Sequence, residues 1–144
     1  MMEHVVKQSI KIKAKPAEVW DALTNPEKTK EYFFNAKVSS KWKEGSKITF
    51  KGRMFLIIKF EMIGKILEIM PEKLLKYTLK NSSDKKGKSF STVTDKLTYA
   101  KGITTLKIID DVGQGEGAEK RYKRSTKGWK KVLNGLKELV EGEN

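Results

Sequence analysis

Lysine alternates with hydrophobic residues in several segments of this chain, and that period of two restricts the folds open to it. In the first segment Val6, Ile10 and Ile12 share one face of an extended strand while Lys7 and Lys11 share the other, because successive strand side chains point to opposite sides. The same alternation recurs in the segments 36–43, 47–51 and 75–80. These segments predict a sheet with one cationic, solvated face and one apolar face that another element must cover.

A long amphipathic helix is predicted near the carboxyl end, and it is the element available to cover that apolar face. Its apolar or small residues recur at helical spacing from Ala118 onward: Tyr122, Ser125, Trp129, Val132, Leu133, Leu136 and Val140. Gly128 and Gly135 flank this stripe, where alanine would stabilise the helix by about 1 kcal/mol per site. They indicate either close backbone packing or room left beside Trp129.

The remaining signals predict two short helices and a run of antiparallel strands. Pro16 and Pro26 each occupy a first helical position, and Asn25 is suited to cap the second helix. A strand from Phe55 to Met70 with a bulge near Gly64, an exposed loop at 81–88, and final strands at 89–100 and 103–110 follow. We therefore expect one α+β domain over residues 1–144.

Composition excludes several kinds of chemistry. The chain has no cysteine and a single histidine, His4, which excludes disulfides, thiol nucleophiles and metal sites built from Cys or His clusters. We expect neither a metal nor a cofactor, and we expect His4 to face solvent. No apolar run is long enough to cross a membrane and no signal-peptide pattern is present, so a cytoplasmic location is expected.

The formal net charge of +13 raises the question of nucleic-acid binding. Three features argue against it: arginine is nearly absent, with only Arg53, Arg121 and Arg124; the lysines are spread over the outer face of every strand; and no aromatic residues interleave with them. The pattern is typical of a solvated sheet face with protected edges. We expect a monomer and keep open an acidic protein partner.

Specific residues carry a resemblance to a known family. They are the run from Pro16 to Glu27, Tyr32-Phe33, Gly64 with Glu68, and Gly128-Trp129 with Leu133. With the order of elements, they resemble the START/Bet v 1-like (SRPBCC) superfamily, and within it the family of the C-terminal domain of the activator of Hsp90 ATPase. The resemblance implies the helix-grip fold, a curved antiparallel sheet of six to seven strands around one long C-terminal helix. It implies binders of hydrophobic ligands and co-chaperone domains alike.

Two positions depart from that family pattern. Leu79 stands where similar proteins carry tryptophan, and Asp95 stands where they carry an apolar residue. By alternation Asp95 points inward with Val93, Leu97 and Tyr99. It is either a polar handle for a ligand or a structural group bonded to tyrosine or backbone, and Glu68 is the other acidic candidate for the inner face.

Three functions from different classes follow. The first is non-enzymatic binding of a small hydrophobic, aromatic or lipid-like ligand in a cavity of roughly 300 to 1,000 Å³ between sheet and helix. The alternatives are a co-chaperone-like protein-interaction domain and a cyclase- or hydrolase-like enzyme using Asp95. The glycine-rich segment 113–117 is interpreted as a lid rather than a phosphate loop. The predicted ligand-binding residues are Phe33, Phe34, Trp42, Phe50, Phe60, Tyr77, Leu79, Asp95, Leu97, Trp129 and Leu133.

Overall fold

The computed structural model describes residues 4–54, 58–82 and 91–142, and these residues form a curved, seven-stranded antiparallel sheet with three helices. The strand order across the sheet is β1-β7-β6-β5-β4-β3-β2. This confirms the predicted helix-grip architecture. The elements in chain order are β1 (Val5–Ile12), α1 (Pro16–Thr24), α2 (Pro26–Tyr32), β2 (Ala36–Ser40), β3 (Lys47–Met54), β4 (Ile58–Met70), β5 (Leu74–Asn81), β6 (Ser91–Ala100), β7 (Ile103–Asp111) and α3 (Ala118–Gly142).

The predicted helix boundaries at α1 and α2 are confirmed in atomic detail. The Asn25 backbone N–H donates to the Asp21 carbonyl (2.8 Å) and ends α1, while the Asn25 side chain accepts the Glu27 N–H (3.0 Å) and caps α2. Pro26 then occupies the first turn, where its missing N–H costs nothing. The predicted start of the long strand at Phe55, the start of β6 at Ser89 and most of the loop at 81–88 lie outside the described residues.

The bulge in β4 lies three residues beyond its predicted position. Pairing with β5 shifts between Ile66 and Glu68, which leaves Leu67 as the extra residue, 40% exposed. The shift resets the alternation, so Glu68 is exposed and its prediction as an inner-face residue is wrong. Gly64 serves a different purpose, because a Cβ there would overlap the carbonyl oxygen of Thr78.

The buried stripe of α3 packs on the inner face of the sheet and forms the core, as predicted. Trp129, Val132, Leu133, Leu136 and Val140 are buried. Tyr122, at the amino end of the stripe, is 36% exposed. Tyr99 is 50% exposed, and its predicted place in the interior is wrong because it lies beside the β6–β7 turn. Across the described residues, no helix has the length and apolarity needed to span a bilayer.

Candidate functional site

An aromatic cluster occupies the space between the sheet and α3. The Phe33 ring, directly after α2, stacks on Phe50 of β3 with centroids 4.7 Å apart. Trp129 meets Phe33 edge-on at 5.8 Å, and Tyr77 of β5 lies 6.1 Å from Phe50. All four side chains are buried. Side chains from α2, β3, β5 and α3 therefore converge on one region of the core.

Asp95 lies within this apolar region, as the alternation in β6 predicts. It is 2% exposed, and its Oδ1 atom has no hydrogen-bond partner within the described part of the chain. Burial, together with the negative charge of Asp110, raises the pKa of Asp95 to about 7. The carboxyl group therefore changes its charge near neutral pH, and its Oδ1 atom lies in the interior without a donor among the described residues.

A second buried carboxylate, Asp110, was missed by the sequence interpretation. Its Oδ2 atom accepts hydrogen bonds from the Ser125 hydroxyl (2.5 Å) and the Trp129 indole N–H (2.7 Å), both on α3. Strand pairing of Asp110 with Val93 places it diagonally from Asp95 on the same face. The alternation of Leu106, Ile108 and Asp110 contained the signal.

The enclosed cavity beside Asp95 has a volume of about 20 Å³, so the expected volume of several hundred Å³ is not open in this structure. About 10 to 15 Å³ suffices for one water molecule, and side chains fill the rest of the space. Six of the predicted site residues line this cavity: Phe33, Phe50, Tyr77, Asp95, Trp129 and Leu133.

The other five predicted site residues lie elsewhere. Leu97 is buried in the core, Trp42 and Leu79 pack partly buried against it, and Phe34 is 44% exposed. Phe60 lies in the wall of a separate surface groove. Alternation along each strand reports the face on which a residue lies, but it does not report whether that part of the face adjoins the cavity.

The turn between α2 and β2 lies at the edge of the aromatic cluster. Phe34 and Asn35 have φ angles of 49° and 59°, a left-handed conformation that is unfavourable for residues other than glycine. The Phe34 ring contacts Phe33 edge-on at 5.7 Å. A Cβ on Gly128 would lie 3.5 Å from the Phe34 ring, an ordinary contact distance. This turn therefore connects the closed interior to the surface.

Gly128 and Gly135 of α3 have different environments, so the two alternatives raised in the sequence analysis apply to different glycines. A Cβ on Gly135 would lie 3.0 Å from the Cβ of Tyr32. The hydroxyl group of Tyr32 is itself held by the Ala22 carbonyl at 2.6 Å. Gly135 therefore allows close packing of α2 on α3, whereas space for a methyl group exists at Gly128.

The loop after β7 is tied to the start of α3. Arg121 donates from Nε to the Val112 carbonyl (3.0 Å) and from Nη1 to the Glu116 carbonyl (2.9 Å). His4 is half-buried and meets the Tyr122 ring edge-on at 6.1 Å, so its predicted solvent-facing position is wrong. Neither Arg121 nor His4 lines the cavity.

Comparison with known proteins places this geometry in context. The family model described as "Activator of Hsp90 ATPase homolog 1-like protein" matches residues 13–141. None of the curated proteins matches the chain.

Solved structures share the fold over nearly the whole chain. A Cytophaga hutchinsonii protein solved in solution is 31% identical, with a TM-score of 0.75 over 99% of this chain and 98% of its own. A Mesorhizobium loti crystal structure is 23% identical, with a TM-score of 0.79 over 97% and 98% of the two chains. DynU16, from the dynemicin biosynthetic locus, is 19% identical, with a TM-score of 0.79 over 97% of this chain and 48% of its own.

Proposed function

This chain belongs to the family of activator of Hsp90 ATPase homolog 1-like proteins, and we propose that it binds a small, largely apolar molecule between the sheet and α3. The molecule carries one hydrogen-bond donor, and the donor contacts Asp95. The observation that carries the proposal is a buried carboxyl oxygen without a partner in an aromatic-lined cavity. Membership of the family supports a ligand-binding fold without naming the ligand.

The energetics of Asp95 favour a binding role over a purely structural one. A buried polar group without a hydrogen bond costs about 1 to 3 kcal/mol, and more when it is charged. Asp110, on the neighbouring strand, receives two donors from α3 on its Oδ2 atom, so the fold can supply donors to this region, while its Oδ1 atom has no partner among the described residues. A ligand that donates to Asp95 would offset the cost that the closed state carries.

Entry of such a ligand requires the cavity to enlarge, and the α2–β2 turn is the part suited to move. Phe33 forms one wall of the cavity, and the adjacent Phe34 is exposed in an unfavourable backbone conformation. Outward rotation of Phe33 would sacrifice ring contacts worth about 0.5 to 1.5 kcal/mol each beyond their buried area. An aromatic ligand would replace those contacts with its own against Phe50 and Trp129.

The proposal is for binding rather than catalysis. The titratable groups that line the cavity, within the part of the chain described, are Asp95, Tyr32 and Tyr77. Burial and the negative charge of Asp95 raise the pKa of both tyrosines, which disfavours either as a base. Acid and base work at one substrate needs two groups with suitable pKa values within reach.

Calorimetry and amide NMR with matched pairs of compounds test the proposal. Each pair consists of an aromatic alcohol or amine and its methyl-capped analogue, titrated into the wild type and Asp95→Leu. The donor-bearing compound should lose about tenfold or more in affinity on the substitution, since a hydrogen bond to a charged group contributes about 1.5 to 3 kcal/mol. The capped analogue should bind both forms equally.

Glu68→Gln is the matched control, because Glu68 is an exposed acid on the same sheet. It should leave both affinities unchanged. Equal losses for the donor and the capped compound in Asp95→Leu would contradict the polar contact. The absence of amide shifts around Phe33, Phe50 and Trp129 with every compound would overturn the binding proposal itself.

A further inference from the structure

A surface groove of about 600 Å³ lies apart from the interior, at the β2–β4 end of the sheet. Five of its lining side chains are cationic and come from four elements, while Glu61 is the acidic one among those described. The cations are Lys30 on α2, Lys37 on β2, Lys51 and Arg53 on β3, and Lys59 on β4. Phe60 also lines the groove.

Strand register brings like charges together in this groove. Lys37 pairs directly with Lys51, and Arg53 pairs directly with Lys59. Like charges directly opposite one another destabilise a sheet. Edge protection accounts for a lysine on β2, which is an edge strand, and it also applies to Arg53, because the described pairing of β2 with β3 ends at Gly52. Arg53 and Lys59 thus lie at the end of the β3–β4 pair, beyond the described pairing with β2 and β5, where both are exposed and directly opposite each other.

Nearby acids neutralise only part of this charge. Glu27 pairs with Lys30 (2.8 Å) and Lys37 (3.2 Å), and these contacts lower the pKa of Glu27. Glu61 lies 3.4 Å from Lys51. No acidic partner in the described residues pairs with Arg53 or Lys59, which leaves two adjacent cations at the end of the β3–β4 pair.

We propose that this groove binds the phosphate group of a small phosphorylated organic molecule. A phosphomonoester carries between about 1.5 and 2 negative charges at neutral pH, which matches the two unpaired cations. The planar fork of Arg53 suits two phosphate oxygens, and Lys59 adds a point charge. The groove volume lies within the range of small-molecule sites, which leaves room for the organic part.

Titration of the whole chain with phenyl phosphate, followed by calorimetry and amide NMR, tests the groove. Millimolar phenyl phosphate should shift the amides of β3 and β4 around Gly52 and Phe60. The affinity should fall with added salt. The double variant Arg53→Gln/Lys59→Gln should bind about tenfold or more weakly, since two charge-assisted contacts are lost.

Lys11→Gln is the matched control, because Lys11 is an exposed lysine on β1, at the opposite edge of the sheet. It should leave the affinity unchanged. An equal loss in Lys11→Gln would show non-specific attraction to the basic face, and no binding by the wild type would reject the site. Asp95→Leu should not change phenyl phosphate binding, so this proposal can fail or succeed independently of the interior ligand.

Discussion

The interior and the surface groove both place like charges close together, yet they do so in opposite dielectric environments. In the interior, Asp95 and Asp110 lie diagonally on adjacent strands, and burial together with the charge of Asp110 raises the pKa of Asp95 to about 7. In the groove, Arg53 lies opposite Lys59, and both side chains are exposed to solvent. Water and salt screen such exposed pairs to less than about 1 kcal/mol.

Because of this difference, the interior charges and the groove charges affect different properties of the protein. The Asp95 carboxyl group affects the free energy of unfolding, because its protonation differs between the folded and unfolded chain. Exposed cations hardly affect folding, and their field remains available to a ligand. Substitutions in the interior should therefore change stability and its pH dependence, whereas substitutions in the groove should change association. The following predictions are ordered from the largest effect on stability to the smallest.

The pH dependence of stability should differ between the wild type and Asp95→Asn. The carboxyl group has an ordinary pKa of 3.8 and a folded pKa of about 7. Between these values the folded chain retains a proton that the unfolded chain has released. The Asp95 contribution to the free energy of unfolding therefore decreases as pH rises through this range, by up to about 4 kcal/mol, and is constant above it.

Urea denaturation of both proteins from pH 4 to pH 8 measures this difference. Asp95→Asn should gain stability relative to the wild type as pH rises toward 7. If the free energies of unfolding of the two proteins vary with pH in parallel across the range, the Asp95 pKa is not raised. The interior charge would then have as little effect on folding as the charges in the groove.

Trp129→Phe should destabilise the interior by about 2 kcal/mol, because it removes the indole donor to the Asp110 carboxylate while retaining an aromatic ring. Ser125→Ala removes the second donor and should have an effect of similar sign. Guanidinium denaturation at neutral pH measures both. Phenyl phosphate affinity should stay unchanged in each variant, and a parallel loss of affinity would show that the two regions are coupled.

Substitutions at Gly128 and Gly135 of α3 compare the packed interior with its edge near Phe34. Gly128→Ala should stabilise the chain by up to about 1 kcal/mol, because the new methyl group meets Phe34 at an ordinary distance and the helix propensity improves. Gly135→Ala should give no gain or a loss, because Tyr32 is anchored at both ends. Thermal melts of the two variants measure these stability changes. Equal gains in melting temperature would show that α2 shifts freely on α3.

Lys59→Gln should change the free energy of unfolding by no more than about 0.5 kcal/mol. The sign should be stabilising at low salt, because the substitution removes a like-charge pair with Arg53. The gain should vanish as salt is added. Melting temperatures at two ionic strengths check this, and a marked loss of stability would identify Lys59 as a structural residue.

Local patterns in the sequence predicted the sheet, the helices and the inward position of Asp95. The Asn25 cap and the strand alternation depend on neighbours a few residues away, so they can be read from the chain directly. The donors to Asp110 could not be predicted, because Trp129 and Ser125 reach it from a different element.

The features that the sequence did not predict depend on strand pairing and on side-chain packing between elements. The exposed side of Glu68 follows from the bulge at Leu67, which depends on pairing with β5. The cavity volume depends on how far Phe33 extends toward Phe50 and Trp129, a packing result that no period reports. The groove depends on the register that sets Arg53 opposite Lys59.

The position of β1 in the sheet has a consequence for the folding of the chain. Strands β2 to β6 each pair with the next strand along the chain, but β1 pairs with β7, from Val5 opposite Asp111 to Ile12 opposite Thr104. Within this sheet β1 therefore pairs with the strand farthest from it along the chain, and closing so long a loop is entropically costly and slow. Until β1 pairs with it, β7 is an edge strand with unpaired backbone groups that can bind other chains. We expect the protein to be most prone to aggregate during that interval.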